Sequence, residues 1–138
     1  MRFRGRVLKD GKFWVIEVPI LFAYTQGFTR KEAYEMIVDL VETMVDKPGF
    51  KAEVYPGKDG WFELGANDVG SLFALMLQRQ RRKNGLTLAD MAKRLGAKSR
   101  NAYARYEKGT SVPTIEKLGE LLKAVSPNEE FVLIISES

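Results

Sequence analysis

Two of the residue types that carry most catalytic and metal-binding chemistry are missing from this sequence. Its 138 residues include no cysteine and no histidine. This composition excludes disulfides, Cys/His zinc sites, thiol nucleophiles and imidazole bases. An enzyme built from this chain would depend on carboxylates, lysines or hydroxyls alone. We therefore expect a binding protein rather than an enzyme, with no cofactor and no metal.

The basic residues are concentrated in one stretch of the chain. Residues 1–65 hold 10 basic and 10 acidic residues, whereas 66–138 hold 12 and 8. Within 79–108, 10 basic residues are accompanied by only Asp90 and Glu107. Such an excess in a helical segment is typical of a polyanion-binding surface, and the alternative is a solvated face without a partner.

The first 65 residues have the pattern of a small sheet with one helix. The helix is predicted over 29–45, because Thr29 and Glu32 form a capping box and an apolar stripe follows at helical spacing. Alternating and β-branched residues predict the strands 3–8, 13–18, 21–26, 51–55 and 61–64. The order β-β-β-α-β-β indicates an α+β unit with its helix on one sheet face.

The pattern changes to helical after the segment 66–70, which we interpret as a hinge between a domain at 1–65 and a domain at 71–138. Four helices are predicted there, and their capping residues are Ser71, Thr87, Ser99 and Thr114. The final apolar run, Phe131–Ile135, predicts a terminal strand that needs a partner. That partner is either a second subunit or the strand's own domain.

The second and third of these helices have the framework of a DNA-reading trihelical unit. A small residue, Ala92, stands where the helices meet, Gly96 stands at the turn, and Tyr103 points back to the core. The segments LTLADMAKRLG (86–96), YEKG (106–109) and PTIEKL (113–118) resemble the phage-repressor (Xre/Cro-type) helix-turn-helix family. The resemblance covers about residues 72–125.

This resemblance implies which side chains contact DNA. Base readers would be Arg100, Asn101 and Arg105 of the third helix, because arginine pairs with guanine and asparagine with adenine through two hydrogen bonds. Phosphates would be contacted by Thr87, Lys98 and Ser99. The turn at 96–99 is one residue longer than in many family members, so each assignment can shift by one position. Glu107 would be structural.

The first domain carries a second resemblance. The segment TQGFTRKEA (25–33), a turn leading into a capped helix after three strands, resembles the HicB antitoxin family, and the likeness covers about residues 3–65. The segment 96–107 is similar to the HicB subgroup whose second domain is helix-turn-helix. The resemblance implies a partial ribonuclease-H-like first domain that binds a HicA-type toxin, an mRNA-cleaving ribonuclease. It also implies a second domain that represses its own operon as a homodimer or larger oligomer.

Three functions therefore remain open at this level. The first is a cytoplasmic antitoxin and autorepressor of a type II toxin–antitoxin pair, with operator DNA and a HicA-like toxin as partners and no membrane association. The second is a stand-alone repressor whose first domain senses a ligand or dimerises. The third is a nuclease that uses the carboxylates of the first domain. Its helical carboxylates are Glu35, Asp39 and Glu42, and their spacing is more typical of a solvated helix face than of a metal site.

The toxin-facing surface has no sequence signal. Trp14, Trp61 and Phe62 are interface candidates only because large aromatics on a small sheet can be exposed, and each is more typical of a core position.

Overall fold

The computed structural model describes residues 1–96 and 100–136, which contain five strands and five α-helices. The strands are β1 (Phe3–Asp10), β2 (Phe13–Val18), β3 (Ala23–Gly27), β4 (Ala52–Pro56) and β5 (Trp61–Ala66). The helices are α1 (Arg30–Val45), α2 (Val69–Lys83), α3 (Leu88–Arg94), α4 (Arg100–Glu107) and α5 (Ile115–Val125). The predicted mixed α and β architecture and the order β-β-β-α-β-β are confirmed. β3 begins later than predicted, because Pro19–Leu21 forms a short 3-10 turn.

The five strands form one antiparallel sheet in the order β3-β2-β1-β5-β4. Side chains alternate across it, so that Phe3 and Val7 of β1 are buried on the inner face while Arg4 and Arg6 lie on the outer face. Helix α1 packs on the inner face through one apolar stripe, and its buried residues are Ala33, Ile37 and Val41.

Helix α1 begins where β3 ends, at a very close approach of two backbones. The Thr29 hydroxyl accepts a hydrogen bond from the Glu32 amide at 3.0 Å, as predicted. The Glu32 carboxylate accepts from the Phe28 amide at 3.4 Å, one residue earlier than a regular capping box requires. A Cβ added to Gly27 would lie 2.6 Å from the Ala33 amide nitrogen, so only glycine fits there.

Helix α2 joins the sheet to the remaining helices. Its Leu72, Leu75 and Met76 belong to the core on the inner sheet face, whereas Leu77 belongs to a second core among the helices. We predicted Ser71 as its capping residue, which is wrong: the helix begins at Val69, and the Asp68 carboxylate accepts from the Ser71 amide at 3.0 Å. The division into domains at 66–70 stays a prediction.

Polar contacts add to this apolar packing between α2 and the sheet. The Arg79 guanidinium donates to the carbonyl oxygens of Leu21 and Phe22, each at 2.9 Å. The buried Gln80 amide donates to the Ile20 carbonyl at 2.8 Å and accepts from the Ser126 hydroxyl at 3.1 Å. Because a buried amide is costly when unpaired, Gln80 holds both the turn before β3 and the end of α5 against α2.

The chain after α5 does not form the predicted terminal strand. Residues 131–136 have no ladder partner within the described part of the chain, and a strand exists only when its backbone groups pair with another strand. Phe131 packs against the inner-face core, while the next four side chains are 64–96% exposed: Val132, Leu133, Ile134 and Ile135. The apolar run therefore reflects an exposed segment, not a strand of the chain's own sheet.

Replacing Gly27 with alanine should destabilise the fold by about 1–3 kcal/mol, because the new methyl group meets the α1 backbone and not a movable side chain. Chemical denaturation of the two proteins measures the difference. Gly119→Ala is the matched control, since nothing lies within 4 Å of a Cβ at that helical position. It should stabilise by about 0.5–1 kcal/mol. Equal effects of the two changes would contradict the close approach at Gly27.

Candidate nucleic-acid interface

Helices α2 to α5 enclose the second core, which holds the two candidate DNA-reading helices in place. Its fully buried residues are Leu77, Met91, Tyr103, Leu121 and Val125. Each helix supplies at least one of them, so the short helices α3 and α4 are held by burial and not by their own hydrogen bonds. Gly96 ends α3 with a φ of 66° and open space at its Cβ position.

The start of α3 is fixed by a complete capping box. The Thr87 hydroxyl accepts from the Asp90 amide at 3.0 Å, and the Asp90 carboxylate accepts from the Thr87 amide at 2.8 Å. These bonds to Thr87 hold the pKa of Asp90 below its usual range. The prediction of Thr87 as the cap is confirmed. Its amide is therefore occupied, while the exposed hydroxyl still has a proton to donate.

Helix α4 has one buried and one exposed side. Tyr103 and Ala104 face the core, whereas Arg100, Asn101 and Arg105 are exposed. The three predicted base readers therefore lie on the solvent side of one helix. The predicted phosphate contacts Lys98 and Ser99 lie outside the described residues.

The other end of α4 is anchored by a buried ion pair. The Arg81 guanidinium donates to both carboxylate oxygens of Glu107, at 2.6 and 3.0 Å, and to the Leu86 carbonyl at 2.8 Å. The two side chains are 12% and 6% exposed. Glu107 raises the pKa of Arg81, and burial raises the pKa of the neighbouring Tyr103 phenol above its usual range. This bidentate ion pair fixes helix α4 against α2.

This ion pair changes the interpretation of the basic stretch. Arg79 and Arg81 are engaged inside the molecule, so two of the ten basic residues in 79–108 do not contribute to an outer surface. Glu107 is neutralised there as well, which leaves Asp90 as the one exposed acid of the described part of this stretch. The inward roles of both arginines were not predicted. Both residues flank the polar Gln80 within the basic stretch, so the local sequence carries no signal of their burial.

Helices α3 and α5 are joined by a further arginine. The Arg94 guanidinium donates to the Ala124 carbonyl at 2.8 Å near the C-terminal end of α5. Its charge lies beside the unpaired carbonyl groups of a helix end, where a cation is favoured. Thr114 caps the start of α5, as predicted, with its hydroxyl accepting from the Lys117 amide at 3.1 Å.

A small cleft lies between this helical unit and α1. It has a volume of about 260 Å³, and polar groups from three helices reach it, among them Lys47, Ser71, Gln78 and Lys108. Lys47 donates to the Asp68 carboxylate at 2.7 Å, and this bond lowers the pKa of Asp68 to about 2. No group of three acidic residues able to hold a metal ion occurs in residues 1–96 and 100–136. No helix of that part is long and apolar enough to cross a membrane.

Comparison with known proteins supports the helical unit. Residues 77–125 match the family model described as Helix-turn-helix, which runs from within α2 to the end of α5. No curated protein matches the chain. The match indicates a DNA-binding transcriptional regulator of the Xre type, a family that is generally non-enzymatic.

Replacing Arg81 with methionine should destabilise the protein by about 3–5 kcal/mol, because the Glu107 carboxylate stays buried without its partner. Thermal or chemical denaturation measures the loss. Arg2→Met is the matched control, since the Arg2–Glu63 pair is 38% and 23% exposed and should contribute at most about 1 kcal/mol. Adding Glu107→Leu to Arg81→Met should restore most of the stability. A small loss in the single variant would contradict the anchoring role.

Proposed function

We propose that this protein is a repressor that binds operator DNA through α4 and neutralises a HicA-type mRNA interferase as the antitoxin of a type II pair. One observation supports the DNA-binding part most directly. A helix that carries Arg100, Asn101 and Arg105 on its exposed side is held from behind by the buried Tyr103 and by the Arg81–Glu107 pair. Base-reading side chains need such a fixed support, because small displacements break hydrogen bonds to base edges.

The contacts with DNA would divide into two classes. Arg100, Asn101 and Arg105 would read base edges in the major groove, where bidentate hydrogen bonds distinguish one base from another. Lys98, Ser99 and the Thr87 hydroxyl would contact phosphates, which position the helix without reading sequence. Lys98 would add a salt-dependent share of the affinity, because its charge displaces a counterion from the DNA.

The antitoxin part of the proposal depends on the first 65 residues. Within the HicB resemblance, the sheet and α1 would be a partial ribonuclease-H-like domain that covers the toxin. The Thr25-Gln26-Gly27 segment, which forms the end of β3 and not a turn, supports this proposal, because Gly27 permits the close approach between β3 and α1. Repression would use a homodimer, since two subunits related by a two-fold axis match an operator with two half-sites.

Replacing Arg100 with alanine should relax base preference at one operator position, with a loss of about 1–3 kcal/mol confined to the preferred base. Lys98→Ala should weaken binding on all sequences by a similar factor and reduce the salt dependence. Binding to a set of operators that differ at single positions measures both effects. A uniform loss for Arg100→Ala would contradict its assignment as a base reader.

Co-expression with the product of the adjacent short open reading frame tests the antitoxin function. We expect the two proteins to co-purify, and we expect growth inhibited by the short product alone to be restored. The growth assay needs the partner expressed with and without this chain. A non-toxic product that does not co-purify would reject the antitoxin proposal and leave the DNA-binding function intact.

A stand-alone repressor is the second candidate, and the cleft of about 260 Å³ favours it. The cleft touches both α1 and the end of α4, so a bound small molecule would contact the sheet unit and the recognition helix together. Operator binding that changes when a cell extract depleted of protein is added, in the absence of any co-purifying partner, would favour this candidate.

A further inference from the structure

The outer face of the sheet carries a row of arginines stacked on aromatic rings. Arg4 and Arg6 of β1 project from this face, and Arg2, directly before the strand, joins them there beside Tyr55 and Glu63. The Arg2 guanidinium lies 3.4 Å from the centre of the Tyr55 ring. Those of Arg4 and Arg6 lie 5.1 and 4.6 Å from the centre of a Trp61 ring. Stacking of this kind holds a guanidinium in one orientation while its edge stays free for hydrogen bonds.

The three arginines differ in whether they form an ion pair with a carboxylate of the chain. Arg2 forms an ion pair with Glu63 at 3.1 Å. Arg4 and Arg6 form none with the described residues, although Glu17 stands directly across from Arg6 on β2. The Nε atom of Arg6 is buried and has no hydrogen-bond partner in the described part of the chain. A buried donor without an acceptor is costly. The side chain as a whole is half-buried, so a ligand would approach it from its accessible part and not at Nε.

An apolar groove lies beside Arg6 on the same face. Its volume is about 490 Å³, and Leu8, Val15 and Tyr24 supply its apolar walls. Leu8 is 46% exposed, Tyr24 is 78% exposed and Trp61, on the other side of Arg6, is 41% exposed. Large aromatic and aliphatic side chains around a half-buried arginine are the composition of the energetic centre of a protein interface.

Charge distinguishes a protein partner from a nucleic acid on this face. The carboxylates Glu17, Glu53 and Glu63 lie among the three arginines, so the face as a whole has no net charge. A phosphate backbone would meet these carboxylates along its length and be repelled by them. A partner with a single carboxylate needs to avoid Glu17 at one point only, beside Arg6, and its flanking apolar side chains would fill the groove that Arg6 and Glu17 both line.

We propose that the outer sheet face is the docking surface for the partner protein, with Arg6 receiving a partner carboxylate and the Leu8–Val15–Tyr24 groove receiving the apolar side chain beside it. This surface rests on the proposed antitoxin function, because it assigns the partner of that function to one face. It would leave α4 uncovered, since Arg6 and its groove belong to the sheet face opposite the helices. One molecule could thus hold its partner and its operator together.

The test compares Arg6→Glu with a matched control in pull-downs on the full-length protein. The control is Arg30→Glu, because Arg30 lies 4.8 Å from the centre of the Trp14 ring in a similar exposed stack on α1. The probe is the co-expressed product of the adjacent short reading frame. We expect Arg6→Glu to weaken its binding by about tenfold or more, Arg6→Lys to weaken it less, and Arg30→Glu to leave it unchanged. Operator binding should be unaffected in all three variants.

The outcomes separate the surface from the function. If the wild-type protein binds the product and Arg6→Glu binds it equally well, the surface assignment is overturned and the antitoxin function stands. If the wild-type protein does not bind it, the antitoxin function falls and the assignment falls with it. A 12-nucleotide single-stranded RNA serves as a second probe. RNA binding that Arg6→Glu abolishes, without a change in the protein complex, would overturn the proposal in favour of a nucleic-acid surface.

Discussion

The two-sided burial of α2 is the constraint on which the remaining structure depends. One side of the helix completes the core under the sheet, and Leu77 on another side begins the core of the helical unit. A helix with apolar residues on one stripe would serve only one of these cores. Arg79 and Gln80 add polar contacts to the turn before β3. These contacts fix the rotation of the helix about its own axis as well as its distance from the sheet. The position of α4 relative to the sheet follows from this single element.

The sequence predicted the elements with local signals and missed those that depend on distant partners. Helix α1 was predicted well, because Thr29 and Glu32 mark its start and the apolar stripe marks its buried side. The terminal strand does not pair within its own chain, since an apolar run cannot say where a ladder partner lies, and pairing with a second subunit stays a prediction. The cap of α2 was wrong because Asp68 and Ser71 are both good capping residues three positions apart, and the sequence does not show which of them begins the helix.

The candidate DNA-binding residues also divide into those with a local sequence signal and those that depend on a distant partner. The exposure of Asn101 and Arg105 was predictable, because helical spacing from Tyr103 places them on the opposite side. Arg100 lies one turn before Tyr103 and is exposed at the first residue of the helix. The roles of Arg79 and Arg81 were not, because local sequence presents them as part of a basic stretch. Their partners lie 58 and 26 residues away in the chain, at Leu21 and Glu107. An arginine that is engaged by a distant group cannot be distinguished by composition from one that faces solvent.

The short connection between β5 and α2 has an entropic consequence. Asn67 and Asp68 are the only residues between these elements, and both are bonded on the side of α1 and β4: Asn67 to Lys51 and Gly49, and Asp68 to Lys47. A tethered pair of units with a loose connection loses orientational freedom when a ligand fixes one against the other. Here that freedom is already restricted in the unbound protein. A ligand that touches the sheet and a ligand that touches α4 would meet a scaffold whose geometry is set in advance, and each would retain more of its contact energy as affinity.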